Sequence, residues 1–298
     1  MTRAPWTSVH LFLSDRARAD ACLAERVRPL VEDWQRAGDV SGWFFIRYWH
    51  GGPHLRIRLQ GRLAGDPERA RAALAHGLDA WASETPPTRN HYYAGHSFDG
   101  AAVDATTLPW FDEGSALLIP YEPEWQRYGG ADAMAESERL FERSSRLAVA
   151  IIAATVANPE RRLPAALALM AAAADVVAPD AEARTRFFAS YAAFWRGNAP
   201  SAAGAPASAM LAAFAPAAIW QREIAAFVDR LRVLAAAGCL LQPWDGQPTG
   251  QDVSPAIGAI VASHLHMLNN RLGLPPAVEA RLADILAHSR HDRQELAA

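Results

Sequence analysis

The sequence predicts an α+β fold: an N-terminal antiparallel β-sheet with flanking helices, followed by a mainly helical lobe. Three observations predict it. Short apolar or alternating runs fill the first 130 residues, a Gly-Gly-Pro turn separates two of them, and long Ala/Leu/Arg segments take over from about residue 131.

Taken in order, Ser8 to Leu13 is a short apolar run and reads as a strand. Residues 15–37 place Ala21, Leu23, Val27, Leu30, Val31 and Trp34 at helical spacing and stop at Gly38. Trp43 to Trp49 is aromatic and β-rich. Gly51-Gly52-Pro53 marks a turn, and His54 to Leu59 alternates strictly, as a half-buried strand paired with the one before it does. Residues 66–82 look helical, and residues 116–121 form a fourth strand candidate. The β-α-β-β-α-β order suits an antiparallel sheet with helices on one face. Residues 84–114 are polar, aromatic and rich in Gly and Pro, a long loop of the kind that is often functional. Helical segments then follow at 131–157, 160–177, 180–196, 207–237, 254–272 and 275–289, without a repeat. Ser201 to Pro206 reads as a small-residue loop rather than a linker. One domain over 1–298 is expected, with a sheet-containing lobe at 1–130 and a helical lobe at 131–298.

Composition excludes several classes. The net charge of −3 gives no basic field to hold a polyanion, so direct nucleic-acid binding is disfavoured. All 29 residues counted as Lys or Arg are Arg. Without lysine there is no Schiff-base chemistry on a lysine and no Walker phosphate loop. Anions must be bound by Arg, His or backbone N–H groups. Cys22 and Cys239 lack the spacing of a disulfide framework or zinc site, so no metal is expected. Residues 1–7 lack a signal-peptide pattern, and charged residues and Pro interrupt every alanine-rich stretch. A cytoplasmic protein with no membrane partner is the expectation.

Three places could carry chemistry. Arg56 and Arg58 lie two apart on one strand, so they share a sheet face with His54. A planar carboxylate would suit their forks of donors, whereas a solvated sheet face needs no ligand at all. Arg127 sits just before Gly129-Gly130 and could extend an anion site, or be neutralised by Glu122 or Glu124. Ser254-Pro255 reads as the cap and first turn of a helix carrying Ser263 to Arg271. On that helix His266 and Asn270 share a face, while His264 is rotated away and makes a poor metal pair with His266. A lone helical histidine is more often structural than catalytic. Gly95 to Gly100 lacks the spacing of a nucleophile elbow, and no dinucleotide fingerprint or His-Glu-x-x-His occurs.

Together these segments resemble a known family. Trp43 to Tyr48 with Gly51 to Arg58, then Tyr121 to Gly130, then Leu265 to Arg271 are similar, in this order, to the C-terminal domain of lantibiotic dehydratases and to stand-alone thiopeptide-type bacteriocin biosynthesis proteins. The resemblance spans Trp6 to Leu286. In that family a separate domain or subunit glutamylates Ser or Thr of a ribosomal precursor peptide, and the elimination domain removes glutamate to leave dehydroalanine or dehydrobutyrine. The resemblance implies that Arg56, Arg58, Arg127 and His266 are the functional residues. His266 would transfer the proton, and the arginines would hold the glutamyl and leaving-group carboxylates. No cofactor is required. The implied partners are the leader and core of the precursor peptide and a glutamylating dehydratase subunit. This chain departs from the family in lacking the large glutamylation domain and in the length of 84–114.

Two other readings stay open. Some stand-alone relatives are pyridine synthases, which join two dehydroalanines by a formal aza-[4+2] cycloaddition and expel the leader. A non-catalytic subunit could instead bind the precursor by strand addition, with the aromatics at 91–93 and 110–111 gripping the core peptide. The alanine-rich helices could also pack as a homodimer.

Overall fold

The computed structural model describes residues 5–94, 97–98, 101–102, 104, 106–196 and 214–288. The loop expected at Ser201 to Pro206 and the start of the segment expected at 207–237 lie outside these residues. The chain divides into two compact units, 1–122 with 148–157, and 123–147 with 158–298. The fold is α+β, with an antiparallel sheet near the N-terminus and a helical lobe after it.

In the first unit, strands β1 (Thr7–Phe12), β2 (Gly42–Tyr48), β3 (His54–Gln60) and β6 (Ala116–Leu118) form one sheet in the order β2-β3-β1-β6. Helices α1 (Arg16–Cys22) and α2 (Arg28–Arg36) are joined by a π-turn at Leu23–Val27, and α3 (Pro67–Ala75) follows β3. The register sets two faces. Val9 opposes Ile57 and Leu11 opposes Leu55, while Trp43 and Phe45 oppose Leu59 and Ile57. All seven side chains are buried. Burying each such side chain contributes about 1.5–3 kcal/mol. Arg47, on this face, pairs with the buried Asp20 of α1 at 2.5 Å, and Thr7 Oγ1 donates to Ala64 O at 3.0 Å. The helices therefore cover the apolar face.

Three expectations need adjustment. The helix expected at 66–82 ends at Ala75, because Gly77 takes a left-handed φ of 70° and starts a short 3-10 turn at Leu78–Trp81. The strand expected at 116–121 stops at Leu118, short of Pro120, which has no N–H for a ladder. The region 84–114 is not structureless. It carries α4 (Arg89–Tyr93) and a two-residue hairpin, β4 (Ser97–Phe98) with β5 (Ala101–Ala102). Within it, Tyr93 faces inward: it is 1% exposed, and its hydroxyl accepts from Gly51 N at 2.8 Å. Phe111 packs on Phe12 with ring centroids 4.9 Å apart. Tyr93 and Phe111 thus brace the β2–β3 turn.

The second unit is built from the first part of α5 (Ala131–Thr155) and from α6 (Arg162–Val177), α7 (Ala181–Arg196), α8 (Ala215–Ala236), α9 (Ser254–Leu272) and α10 (Pro276–His288). Helix α10 lies along α7, and α6 packs on α8 and α9. Trp220, Phe227, Ile260 and Leu265 are among the residues of its core. The cap of α9 is not Ser254 as expected. Ser254 is the first helical residue, and its N–H donates to Asp252 Oδ1 at 3.0 Å. No helix among the described residues is long and apolar enough to cross a membrane.

Candidate functional site

The expected residues fall in two groups, one in each unit. Arg56 and Arg58 belong to β3, on the sheet face opposite the helices. The register adds Ser8, opposite Arg58, and His10, opposite Arg56, to the same face. The face is not a solvated one: Ser8, His10, His54 and Arg58 are 4%, 2%, 3% and 7% exposed. His54 Nδ1 lies 2.8 Å from Gly52 O, and Arg56 Nε donates to His54 Nε2 at 3.1 Å. Both contacts are satisfied by one neutral tautomer, with the proton on Nδ1. Burial, in spite of the bond to Gly52 and helped by Arg56, pushes His54 down to about 4. His54 is therefore a neutral prop that aims Arg56. The guanidinium of Arg56 lies 3.5 Å over the Tyr48 ring, and that of Arg58 lies 4.2 Å over Tyr121. Such stacking fixes the plane of each fork. His10 stacks on His54 at 4.8 Å. Burial first, then His54, Arg56 and Arg58, push His10 down to about 2.

Arg127 and His266 belong to the second unit. The chain turns at Gly129 and Gly130, with φ of 84° and 100°. A Cβ at Gly129 would meet Ile260 Cδ1 and Leu240 Cδ1 at 2.8 Å, so the turn requires glycine for space as well as for φ. Tyr128 is buried by the turn against Phe141, at 5.1 Å. Arg127 is half-exposed. Its Nε donates to Ser263 Oγ at 3.3 Å, and its Nη1 donates to Glu124 at 3.4 Å. Glu124 is thus the carboxylate that pairs with Arg127. Ser263 precedes His266 by three residues on α9, so Arg127 reaches the same helix face one turn earlier.

His266 is clamped on two sides. Its Nδ1 lies 3.1 Å from both carboxylate oxygens of Glu279 on α10. Its ring stacks on Trp195 of α7, at 3.7 Å and 16°. Glu279 is wholly buried and also accepts from Tyr191 Oη at 2.7 Å and Asn269 Nδ2 at 3.4 Å. Burial, then the charge of Glu279, push the Tyr191 hydroxyl well above its usual range, so it stays protonated and donates. A carboxylate accepting at Nδ1 holds the ring proton there and presents Nε2 as the proton acceptor. His264 is different. Its Nε2 lies 3.1 Å from Ser137 Oγ, amid Tyr128, Phe141 and Phe227. Burial, then Arg271 and Arg127, push it well below the usual histidine range. It is a core residue.

Sequence reasoning missed Glu279, Tyr191, Trp195 and His10. Glu279 occupies the first turn of α10, where a glutamate needs no other reason than the helix dipole. Only His10 carried a signal, because period two places it opposite the arginines once β1 and β3 are paired. Among the described residues, no group of three or more His, Cys, Asp or Glu side chains could hold a metal ion.

An α+β fold with a cationic sheet face and a carboxylate-held histidine defines the class of chain to compare. The model of the lantibiotic biosynthesis dehydratase C-terminal family matches residues 6–290, and the chain belongs to that family. Among solved structures, the pyridine synthase TbtD from thiomuracin biosynthesis aligns with a TM-score of 0.71 at 17% identity, over 98% of this chain and 99% of that one. TsrL aligns with a TM-score of 0.65 at 15% identity, over 98% and 96% of the two chains. The tRNA-dependent lantibiotic dehydratase MibB from Microbispora sp. 107891 aligns with a TM-score of 0.61 at 19% identity. There the match covers all of this chain and 29% of MibB. No curated protein matches the chain by sequence.

Proposed function

We propose that this chain eliminates glutamate from glutamylated Ser or Thr of a ribosomal precursor peptide. The observation that carries the reading is His266, stacked on Trp195 and held at Nδ1 by the buried Glu279. Nε2 of His266 takes the Cα proton of the glutamylated residue. The electron pair forms the Cα=Cβ bond, the Cβ–O bond breaks, and glutamate leaves as a carboxylate. Glu279 offsets the charge that His266 gains, as an orienting carboxylate does for a general base. Arg127, in the same unit as His266, is suited to hold the departing carboxylate through charge-assisted bonds, and Arg56 and Arg58, in the first unit, are suited to bind a glutamyl carboxylate in the same way. The partners of such a reaction are the precursor peptide and a separate glutamylating subunit, and the cytoplasm, where glutamyl-tRNA is made, is its setting.

A second reading has its own support. The fold matches a pyridine synthase over nearly the full length of both chains, and the alternative activity is the formal aza-[4+2] cycloaddition with loss of the leader. Mass spectrometry separates the two. The cognate precursor, glutamylated in advance, is incubated with the protein, and so is a dehydroalanine-containing form. Elimination predicts loss of the glutamyl mass with a dehydrated product from the first. A glutamylated peptide left intact, together with a macrocycle and free leader from the second, would replace this reading with cycloaddition.

A further inference from the structure

On the β1 side of the cationic sheet face, Ser8 Oγ and His10 Nδ1 are buried and make no hydrogen bond among the described residues. Interior polar atoms nearly always find a partner, and leaving one unmade carries a desolvation penalty. These two are not scattered. They alternate on β1, point to the same face, and stand in register with Arg58 and Arg56. Phe12, next on that face, is closed off by His54 and Phe111 at 4.6 and 4.9 Å. The unmet capacity of β1 therefore lies on the part of the strand that faces the arginines.

We propose that Ser8 and His10 are ligand-contacting residues that join Arg56 and Arg58 in holding a carboxylate of the glutamyl group. The proposal rests on the elimination reading and adds two donors to it. Beside two guanidinium groups the field repels a cation and favours an acceptor-rich anion. A serine hydroxyl can donate, and so can a neutral histidine through Nδ1–H. Burial and the nearby arginines keep His10 neutral, so it offers a dipole and adds no further charge. Alternate residues on a strand lie roughly 7 Å apart, a span that two side chains can close by each donating, at about 2.8 Å, to one oxygen of the same carboxylate.

The test is titration with sodium L-glutamate, followed by 15N NMR of the imidazole and guanidinium side chains. Equal ionic strength is kept with sodium chloride. The protein is used whole, as wild type, Ser8→Ala, His10→Phe and Arg56→Lys. His10→Phe keeps an aromatic ring against His54 and removes both nitrogens. The expected result is a saturable shift at His10 Nδ1. Ser8→Ala should weaken glutamate binding by about three- to tenfold, and His10→Phe by about tenfold. Ser8→Ala removes one oxygen and keeps the test decisive if His10→Phe fails to fold. Saturable shifts at the Nε of Arg56 and Arg58, weakened by Arg56→Lys but with His10 still and Ser8→Ala unchanged, would overturn this inference and leave the elimination reading standing. No saturable shift at any of the four residues would overturn the inference and also remove Arg56 and Arg58 from the glutamyl site.

Discussion

In the sheet, His54 uses both ring nitrogens on neighbours, Gly52 O and Arg56 Nε, and is neutral by burial. On α9, His266 gives Nδ1 to a carboxylate and keeps part of its ring exposed, its side chain 13% accessible. Both residues are histidines fixed within 5 Å of an aromatic ring. The difference lies in the partner. A backbone carbonyl beside an arginine makes a histidine into a strut. A buried carboxylate at Nδ1 suits it to the role of base in the proposed elimination. His264, two residues from His266, follows the first pattern, packed against three aromatic rings with Ser137 as its polar contact. The group bonded to the imidazole, and not the imidazole, separates the proposed catalytic histidine from the structural ones in this chain.

The largest effect expected from this contrast is at His266. His266→Ala should lower the single-turnover rate of glutamate release by about 10²- to 10⁴-fold while leaving the circular dichroism spectrum unchanged. His264→Ala should instead lower thermal stability, because it opens a cavity among Tyr128, Phe141 and Phe227. Next comes Glu279→Gln, which keeps volume but, able to accept through Oε1 or donate through Nε2, no longer enforces the Nδ1–H tautomer. We expect a rate loss of about 10²-fold with a smaller change in KM, measured in the same assay. Arg56→Lys should act in the opposite sense, raising KM by about tenfold, because a lysine lacks the fork and the stacked plane on Tyr48. The smallest effect concerns pH. His54 has a folded pKa near 4 against a free value of 6.5, so the unfolded chain binds the proton more readily. Its contribution is fully present above pH 6.5 and is lost as pH falls towards 4. The unfolding free energy from denaturant titration should fall between pH 7 and pH 5, by about 1–2 kcal/mol for this residue, and His54→Gln should flatten that slope.

The sheet was the more legible of the two regions. Period two in His54 to Leu59 puts Arg56 and Arg58 on one face, and the register confirms it residue by residue. Helices in the second unit were legible as well: the segment 254–272 matches α9 at both ends. What the sequence hid were relations between distant segments. Glu279 reaches His266 across the turn at Gly273 to Pro275, and Trp195 and Tyr191 reach it from α7. Nothing in the periodicity of α7 separates Tyr191 and Trp195 from ordinary packing aromatics. Local chemistry overrode periodicity elsewhere, where Gly77 ended α3 and Pro120 lay beyond the shortened β6.

In the proposed elimination, Glu279 fixes the proton of His266 on Nδ1 and leaves Nε2 to accept one. The direct measurement is the 15N chemical shifts of the His266 ring nitrogens at pH 8, in wild type and in Glu279→Gln. A protonated Nδ1 and an unprotonated Nε2 are expected in the wild type, with that preference lost in the variant. A proton on Nε2 in the wild type, or a pattern indifferent to the loss of the carboxylate, would contradict it.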